Sequence, residues 1–227
     1  MNTLQLVIDS LPVLLGGVLI TLKLTVFGIG LGLVIALPLV FMQVYGNRLF
    51  KVVALVYERA LRSIPLLVIL FLVYYGLPEM GIRPPAFSAA GIAIGIRSAA
   101  YQSQIFRGAI QSVSGSQMKA ALSLGMSNVQ AFVSIILPQA LRAVVPPFTN
   151  ETAIVLKDTS LAYAVGVIEI VQRGQYIISD PNNDPLIIFM TIAAIYFVIT
   201  YVFNHVMDML EEKMKIPGIG LEERAYE

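Results

Sequence analysis

Long apolar runs alternate with short polar segments along the chain. Residues 24–44 contain 21 positions without a charge, and residues 185–207 contain 23. A bilayer core about 30 Å thick is crossed by roughly 20 helical residues, so each run predicts one membrane-spanning helix. Gly28 and Gly32, one turn apart in the first run, either form a face for close helix packing or are simply tolerated in lipid.

Three further apolar runs are interrupted by charges or too short to span alone. Residues 84–106 contain Arg97, and residues 143–170 contain Glu151, Lys157 and Asp158. The third run, residues 64–77, has only 14 uncharged positions, so we expect that span to extend back through Arg62, Arg59 and Glu58.

The pattern predicts an all-α, polytopic membrane protein with five transmembrane helices. We expect a single transmembrane domain over residues 1–215 and a short cytoplasmic tail over residues 216–227, which is rich in glycine and acidic residues. Composition agrees, because 57% of the residues are hydrophobic, 13% are charged and the mean hydropathy is +0.81.

Lysine and arginine in the short loops indicate the orientation. Placing the N-terminus outside puts seven basic residues on the cytoplasmic side and two, Arg83 and Arg173, on the other. The seven are Arg48, Lys51, Arg107, Lys119, Arg142, Lys213 and Lys215. We therefore expect the N-terminus outside, the C-terminus in the cytoplasm, and residues 107–142 in a cytoplasmic loop.

This loop has the start and stop signals of two short helices. Ser116 is a candidate N-cap for a helix over residues 117–124, and Gly125 suits the left-handed position after a helix end. Ser127 with Gln130 has the spacing of a capping box. The element is too polar to span lipid, but Ala120, Ala121, Leu122 and Leu124 offer a small apolar surface for a groove on another protein.

The same loop resembles the EAA loop of importer permeases, the membrane subunits of ATP-binding-cassette (ABC) importers. The resemblance rests on the spacing of Ala120-Ala121, Gly125, Ile135 and Leu137-Pro138. Lys119 departs from it, because the family most often has a glutamate there.

Other segments resemble the polar amino acid branch of this family, the permeases for histidine, glutamate, glutamine and arginine. They are Leu14-Leu15-Gly16-Gly17 with Thr21-Leu22-Lys23-Leu24-Thr25, Arg62-Ser63-Ile64-Pro65-Leu66-Leu67-Val68, Tyr74-Tyr75-Gly76-Leu77-Pro78, Ala100-Tyr101 with Arg107-Gly108, Leu137-Pro138-Gln139-Ala140-Leu141-Arg142, and Lys157-Asp158-Thr159-Ser160-Leu161. Gln104 departs from the glutamate common in this branch.

The resemblance implies a type I ABC importer permease in the cytoplasmic (inner) membrane of a prokaryote. The loop would form the coupling helix that contacts the ATPase, through Lys119, Ala120, Ala121, Leu124, Gly125, Leu137 and Pro138. Implied partners are a second permease chain, itself or a paralogue, two ABC ATPase subunits and an extracytoplasmic solute-binding protein. The implied substrate is a polar L-amino acid, and the chain would hold no cofactor, since ATP and Mg²⁺ would bind to the partner ATPase.

Several charges lie at membrane depth, where each costs at least a few kcal/mol unless it faces protein, water or another charge. Glu151 and Asp158, seven residues apart, share one helix face and need cations, which Lys157 or Arg97 can supply. These residues either form an ion-pair network that holds the helix in its bundle or contact substrate. With Thr159 and Ser160 they are the candidate substrate pathway. Lys23 and Glu58 are alternatively interface residues whose long stems reach the headgroups.

Several functions are excluded or disfavoured. The chain has no Gly-x4-Gly-Lys-Ser/Thr phosphate loop, so ATP hydrolysis must lie in another chain. The sequence also lacks a nucleophile with a nearby base, so no enzymatic reaction is expected. With no cysteine, one histidine and a net charge of +1, a thiol- or histidine-based metal site and a nucleic-acid partner are not expected. The alternative is an ion-coupled secondary carrier or channel using Lys23, Glu151, Lys157 and Asp158.

Overall fold

The structure is a computed structural model that describes residues 3–214, without the side chains of Ser114 and Met214. This part of the chain is helical and contains no β-strand, which confirms the predicted all-α class. The tail of residues 216–227, and Lys215, lie outside the described residues. In chain order the described helices, with the short π and 3₁₀ segments inside them, are α1 (Thr3–Leu15), α2 (Val18–Tyr45), α3 (Arg48–Ser63), α4 (Leu66–Glu79), α5 (Ala86–Ser123), α6 (Asn128–Val165), α7 (Ile170–Ile178) and α8 (Pro185–Met214).

Fewer helices meet the length and hydropathy criteria for crossing a membrane than the five that the pattern predicts. Helices α2, α6 and α8 meet the criteria, and α3 with α4 form a fourth, bent candidate. Helix α5 contains 38 residues but is not among them.

The second predicted span is broken. Helices α3 and α4 meet at 105°, so the expected extension back through Arg62 and Arg59 does not form one continuous helix. Pro65 is the cause, because a proline forces the preceding residue out of the helical region. Ile64 is accordingly extended, with φ −90° and ψ 130°.

The cytoplasmic loop also differs from the prediction. Helix α5 runs through Ser116 without a break, so Ser116 is not an N-cap and the expected short helix over residues 117–124 is instead the end of a long one. No proline lies between Ala86 and Ser123, and the glycines at 108 and 115 are tolerated within the helix.

Helix α6 is likewise longer at its start than the expected span. It begins at Asn128 and passes through Pro146 and Pro147. A π segment, Phe132–Ile136, directly precedes the turn that holds Pro138. The wider π turn accommodates a proline ring and its missing N–H within a continuing helix.

Helices α2 and α5 pack closely through glycine. A Cβ added to Gly28 would lie 2.5 Å from Ile94 Cγ2, and one added to Gly32 would lie 2.5 Å from Gln102 Nε2. A Cβ added to Gly91 would lie 2.0 Å from Phe27 Cδ1. The close-packing interpretation of Gly28 and Gly32 is therefore confirmed.

Two apolar clusters hold the bundle together. The larger cluster joins α2, α4, α5 and α6 through buried residues that include Leu24, Leu70, Ile94 and Val155. The smaller joins α1, α7 and α8. The hydrophobic pattern predicts neither α1 nor α7.

Candidate functional site

The first candidate site is the coupling segment, defined here as Lys119 to Pro138. Helix α5 ends there in a Schellman motif: the N–H of Gly125 donates to the Leu122 carbonyl at 3.0 Å, and the N–H of Met126 donates to the Ala121 carbonyl at 3.2 Å. Gly125 has φ +81°, which confirms the predicted left-handed position. The C-terminal end of α5 is thereby fixed in a short turn.

The capping box at the start of α6 is also confirmed. The Gln130 N–H donates to Ser127 Oγ at 3.3 Å, and the Ser127 N–H donates to Gln130 Oε1 at 2.9 Å. These reciprocal bonds satisfy two backbone donors that the first turn of a helix leaves free.

The coupling segment exposes apolar side chains. Leu124 is 82% exposed and Val129 is 72% exposed, with Leu122 and Val133 also exposed. Several large apolar side chains exposed within one short segment are typical of interaction sites. The surface therefore fits the docking of another protein.

The other residues expected in this contact differ in exposure. Lys119, Ala120 and Pro138 are exposed, and Leu137 is half-buried. Ala121 is only 1% exposed, so the expectation that it contributes to the free apolar surface is wrong. Its side chain is buried and not available to a partner.

The second candidate site is the charge cluster within the bundle. Arg97 of α5 forms an ion pair with Asp158 of α6, and both side chains are about one-fifth exposed. The structure thus brings together two of the predicted pathway residues from different helices. The counterion of Asp158 is thus Arg97, one of the two cations expected from the sequence.

Glu151 is satisfied differently. Its Oε1 accepts a hydrogen bond from Ser98 Oγ at 2.7 Å. Gln102 Nε2 donates to Ser98 Oγ and to the Ile29 carbonyl, both at 3.1 Å. A buried polar chain therefore joins α6, α5 and α2. The four-residue spacing of Ser98 and Gln102 in an apolar run was a usable sequence signal, but the prediction missed it.

The remaining pathway residues lie at the C-terminal end of the same helix. Lys157 is exposed and is not among the ion pairs found within residues 3–214. Thr159 is fully buried and donates to the Leu156 carbonyl at 2.6 Å, whereas Ser160 is half-buried. Of the six predicted pathway residues, only Arg97 and Asp158 form an ion pair with each other.

A second charged cluster was not predicted. Glu58 of α3 is buried, which rules out the snorkelling interpretation for its carboxylate. It accepts from Gln43 Nε2 at 3.0 Å, lies 3.4 Å from Arg62 Nη1, and lies 3.3 Å from Arg107 Nη2. This cluster fastens α2, α3 and α5 together.

No metal centre is found among these side chains. Across residues 3–214 there is no group of three or more histidine, cysteine, aspartate or glutamate residues arranged to hold a metal ion.

Long apolar helices that enclose paired charges are typical of polytopic membrane proteins. Residues 28–216 match the family model described as "Binding-protein-dependent transport system inner membrane component". The chain belongs to this family. It is therefore a multi-pass inner-membrane permease subunit and not itself an enzyme, and the resemblance to importer permeases is confirmed.

Individual relatives match over almost the whole chain. The nopaline transport system permease protein NocM of Agrobacterium fabrum is 37% identical over 219 residues, covering 92% of this chain and 90% of its own. The glutamine transport system permease protein GlnP of Escherichia coli is 37% identical over 209 residues, covering 91% and 95%. The L-cystine transport system permease protein TcyB of Bacillus subtilis is 33% identical over 203 residues, covering 89% and 87%.

Solved structures agree on the fold. A crystal structure of an amino acid ABC transporter with histidines matches with a TM-score of 0.87 at 33% identity, covering 94% of this chain and 99% of that one. An inward-facing structure of the MetNI methionine ABC transporter matches with a TM-score of 0.74 at 18% identity, covering 92% and 99%. The type I importer permease fold is thus confirmed. None of these similarities supports the ion-coupled carrier.

Proposed function

We propose that this chain is the membrane subunit of an ATP-driven importer for a polar L-amino acid. The observation that carries the proposal is the coupling segment, an apolar, capped turn at the ends of two helices longer than a bilayer. At about 1.5 Å per residue the 38 residues of α5 extend about 57 Å, against a bilayer core of about 30 Å. The coupling segment would therefore project beyond the membrane, where an ATPase can dock.

The topology in this proposal has five spans in one domain over residues 1–215. They are α2, the broken pair α3 and α4, α5, α6 and α8, with the N-terminus outside and the C-terminus in the cytoplasm. The distribution of basic residues supports this orientation. Helices α1 and α7 would then lie toward the outer face.

The assembly in this proposal contains a second permease chain, identical or paralogous, related by an approximate two-fold axis. Two ABC ATPase subunits bind ATP and Mg²⁺ below, and a solute-binding protein delivers substrate above. ATP binding closes the ATPase pair, which moves both coupling segments and opens the path outward. Hydrolysis resets the cycle.

In this proposal Arg97, Lys157, Asp158 and Ser160 contact the substrate, and the buried Glu151 and Thr159 of the predicted pathway support them from within the bundle. The Arg97–Asp158 pair supports this assignment, because an amino acid carries one group of each sign. Its carboxylate can bind the guanidinium and its ammonium can bind the carboxylate, so the substrate can replace each partner of the pair. The names of the relatives support the class, since nopaline, glutamine and cystine all carry amino acid groups.

The test of this assignment uses Lys157→Met in the assembled transporter. Because Lys157 is exposed and outside the ion pairs found in residues 3–214, its loss should disturb the fold little. We expect the KM for uptake to rise severalfold while the amount of assembled complex is unchanged. Lys23→Met, another exposed lysine, is the matched control and should leave KM unchanged. A fall in assembled complex with constant KM would instead show a structural role.

A further inference from the structure

The two charged clusters meet at one aromatic ring. The guanidinium carbons of Arg62 and Arg97 each lie 5.1 Å from the centroid of the Tyr101 ring. A cation at this distance from a ring face is attracted by the ring quadrupole. Tyr101 therefore joins the Arg97–Asp158 pair to the Glu58 cluster.

The resulting line crosses three helices. It runs from Asp158 on α6, through Arg97 and Tyr101 on α5, to Arg62 and Glu58 on α3, and returns to α5 at Arg107. Arg107 belongs to the same unbroken helix that ends in the coupling segment.

The contact is made by the ring and not by the hydroxyl. Within the part of the chain that the structure describes, the Tyr101 hydroxyl takes part in no hydrogen bond, whereas Tyr57 on the same α3–α5 interface donates to the Ile96 carbonyl at 2.6 Å. Tyr57 thus fastens the two helices by an ordinary bond. Tyr101 lies one helical turn from Arg97. Arg97 is the ion-pair partner of Asp158, so a change at Asp158 acts first on Arg97.

We propose that Tyr101 is a positioning residue that links occupancy of the substrate site to the coupling segment through Arg62 and the Glu58 cluster. This inference rests on the proposed function. A substrate that binds Asp158 or Arg97 changes the counterion of Arg97, and Arg97 then shifts against the ring. The ring passes the shift to Arg62, which lies beside the break between α3 and α4, and so to the pairing of Glu58 with Arg107.

The experiment uses the complete transporter, purified with its ATPase subunits and reconstituted with its binding protein. ATP hydrolysis is measured without substrate and with L-histidine, L-glutamate, L-glutamine or L-arginine, and the one that stimulates the wild type most is used for all variants. Uptake and the amount of assembled complex are measured in parallel. The variants are Tyr101→Leu, which removes the aromatic face, and Tyr101→Phe, which keeps it. Tyr57→Phe is the control for loss of an ordinary interface bond.

In Tyr101→Leu we expect the ratio of substrate-stimulated to unstimulated ATP hydrolysis to fall at least fivefold, while unstimulated hydrolysis is retained. In Tyr101→Phe the same ratio should lie within twofold of the wild type. Tyr57→Phe should lower thermal stability without changing the stimulation ratio. Should Tyr101→Leu fail to assemble, Arg62→Met breaks the same line from the other side and should give the same uncoupling.

Stimulation within twofold of wild type in an assembled Tyr101→Leu or Arg62→Met variant would overturn the inference. Equal loss of stimulation in Tyr101→Phe would also overturn it, because the ring face is retained there. A wild-type complex without ATP-driven uptake would refute the proposed function itself, and this inference with it.

Discussion

Replacing Gly28 with alanine tests the packing of α2 on α5 with a single added carbon. That carbon would lie 2.5 Å from Ile94 Cγ2 and 3.3 Å from Ile94 Cβ. Ile94 is 4% exposed, and its β-branched side chain has little freedom at χ1, so it cannot move aside. Something in the α2–α5 interface must therefore shift.

The magnitude follows from two opposing terms. Overpacking of this kind costs about 1–3 kcal/mol, and exchanging glycine for alanine inside a helix returns about 0.5–1 kcal/mol. The difference between these ranges is about 0–2.5 kcal/mol, so we expect Gly28→Ala to destabilise the protein by about 1 kcal/mol. Gly30, two residues along the same helix, has nothing within 4 Å of its added Cβ, so Gly30→Ala gains only the helix term.

Both variants are compared in one detergent by circular dichroism during unfolding, since the chain contains no tryptophan to report by fluorescence. Gly28→Ala should unfold at a lower midpoint than wild type, and Gly30→Ala at the same or a higher one. A Gly28→Ala protein as stable as Gly30→Ala would refute the close packing described for this helix pair.

Three further predictions concern coupling, the buried carboxylate and topology. Gly125→Asp should abolish transport with membrane insertion intact, because it adds a charge and a side chain at φ +81° on the apolar turn. The control Gly115→Asp, at an exposed helical position, should transport normally, and normal transport by Gly125→Asp would refute the docking role. Glu58→Ala should destabilise the chain near the lower end of the about 3–5 kcal/mol typical of a broken buried pair, since its arginine partners are partly exposed; an unchanged unfolding midpoint would contradict the cluster. Since the chain has no cysteine, Lys119→Cys and Asp184→Cys report sidedness directly, and only Asp184→Cys should react with an impermeant thiol reagent added outside intact cells.

The features that sequence predicted well are local. Gly125 and the pair Ser127 and Gln130 carry their structural meaning within one helical turn, and the structure reproduces both. Apolar run length likewise located α2 and α8 closely, because a membrane span requires a fixed length.

The features that sequence missed depend on contacts between distant segments. Glu58 meets Arg107 49 residues away, and Glu151 meets Ser98 53 residues away, so neither pair has a periodic signature. Pro65 predicts a helix break at Ile64, whereas the need for about 20 residues per span predicts one continuous helix through the same position. In this bundle the local rule was the stronger one.

Mass spectrometry of the complex tests the central claim most directly. The tagged chain is purified from its native membranes in mild detergent, and the proteins that accompany it are identified and assayed for ATP-dependent amino acid uptake after reconstitution. We predict a stable complex that contains an ATPase subunit with a phosphate-binding loop and takes up amino acid only with ATP. A stable, transport-competent assembly without any ATPase would contradict the account.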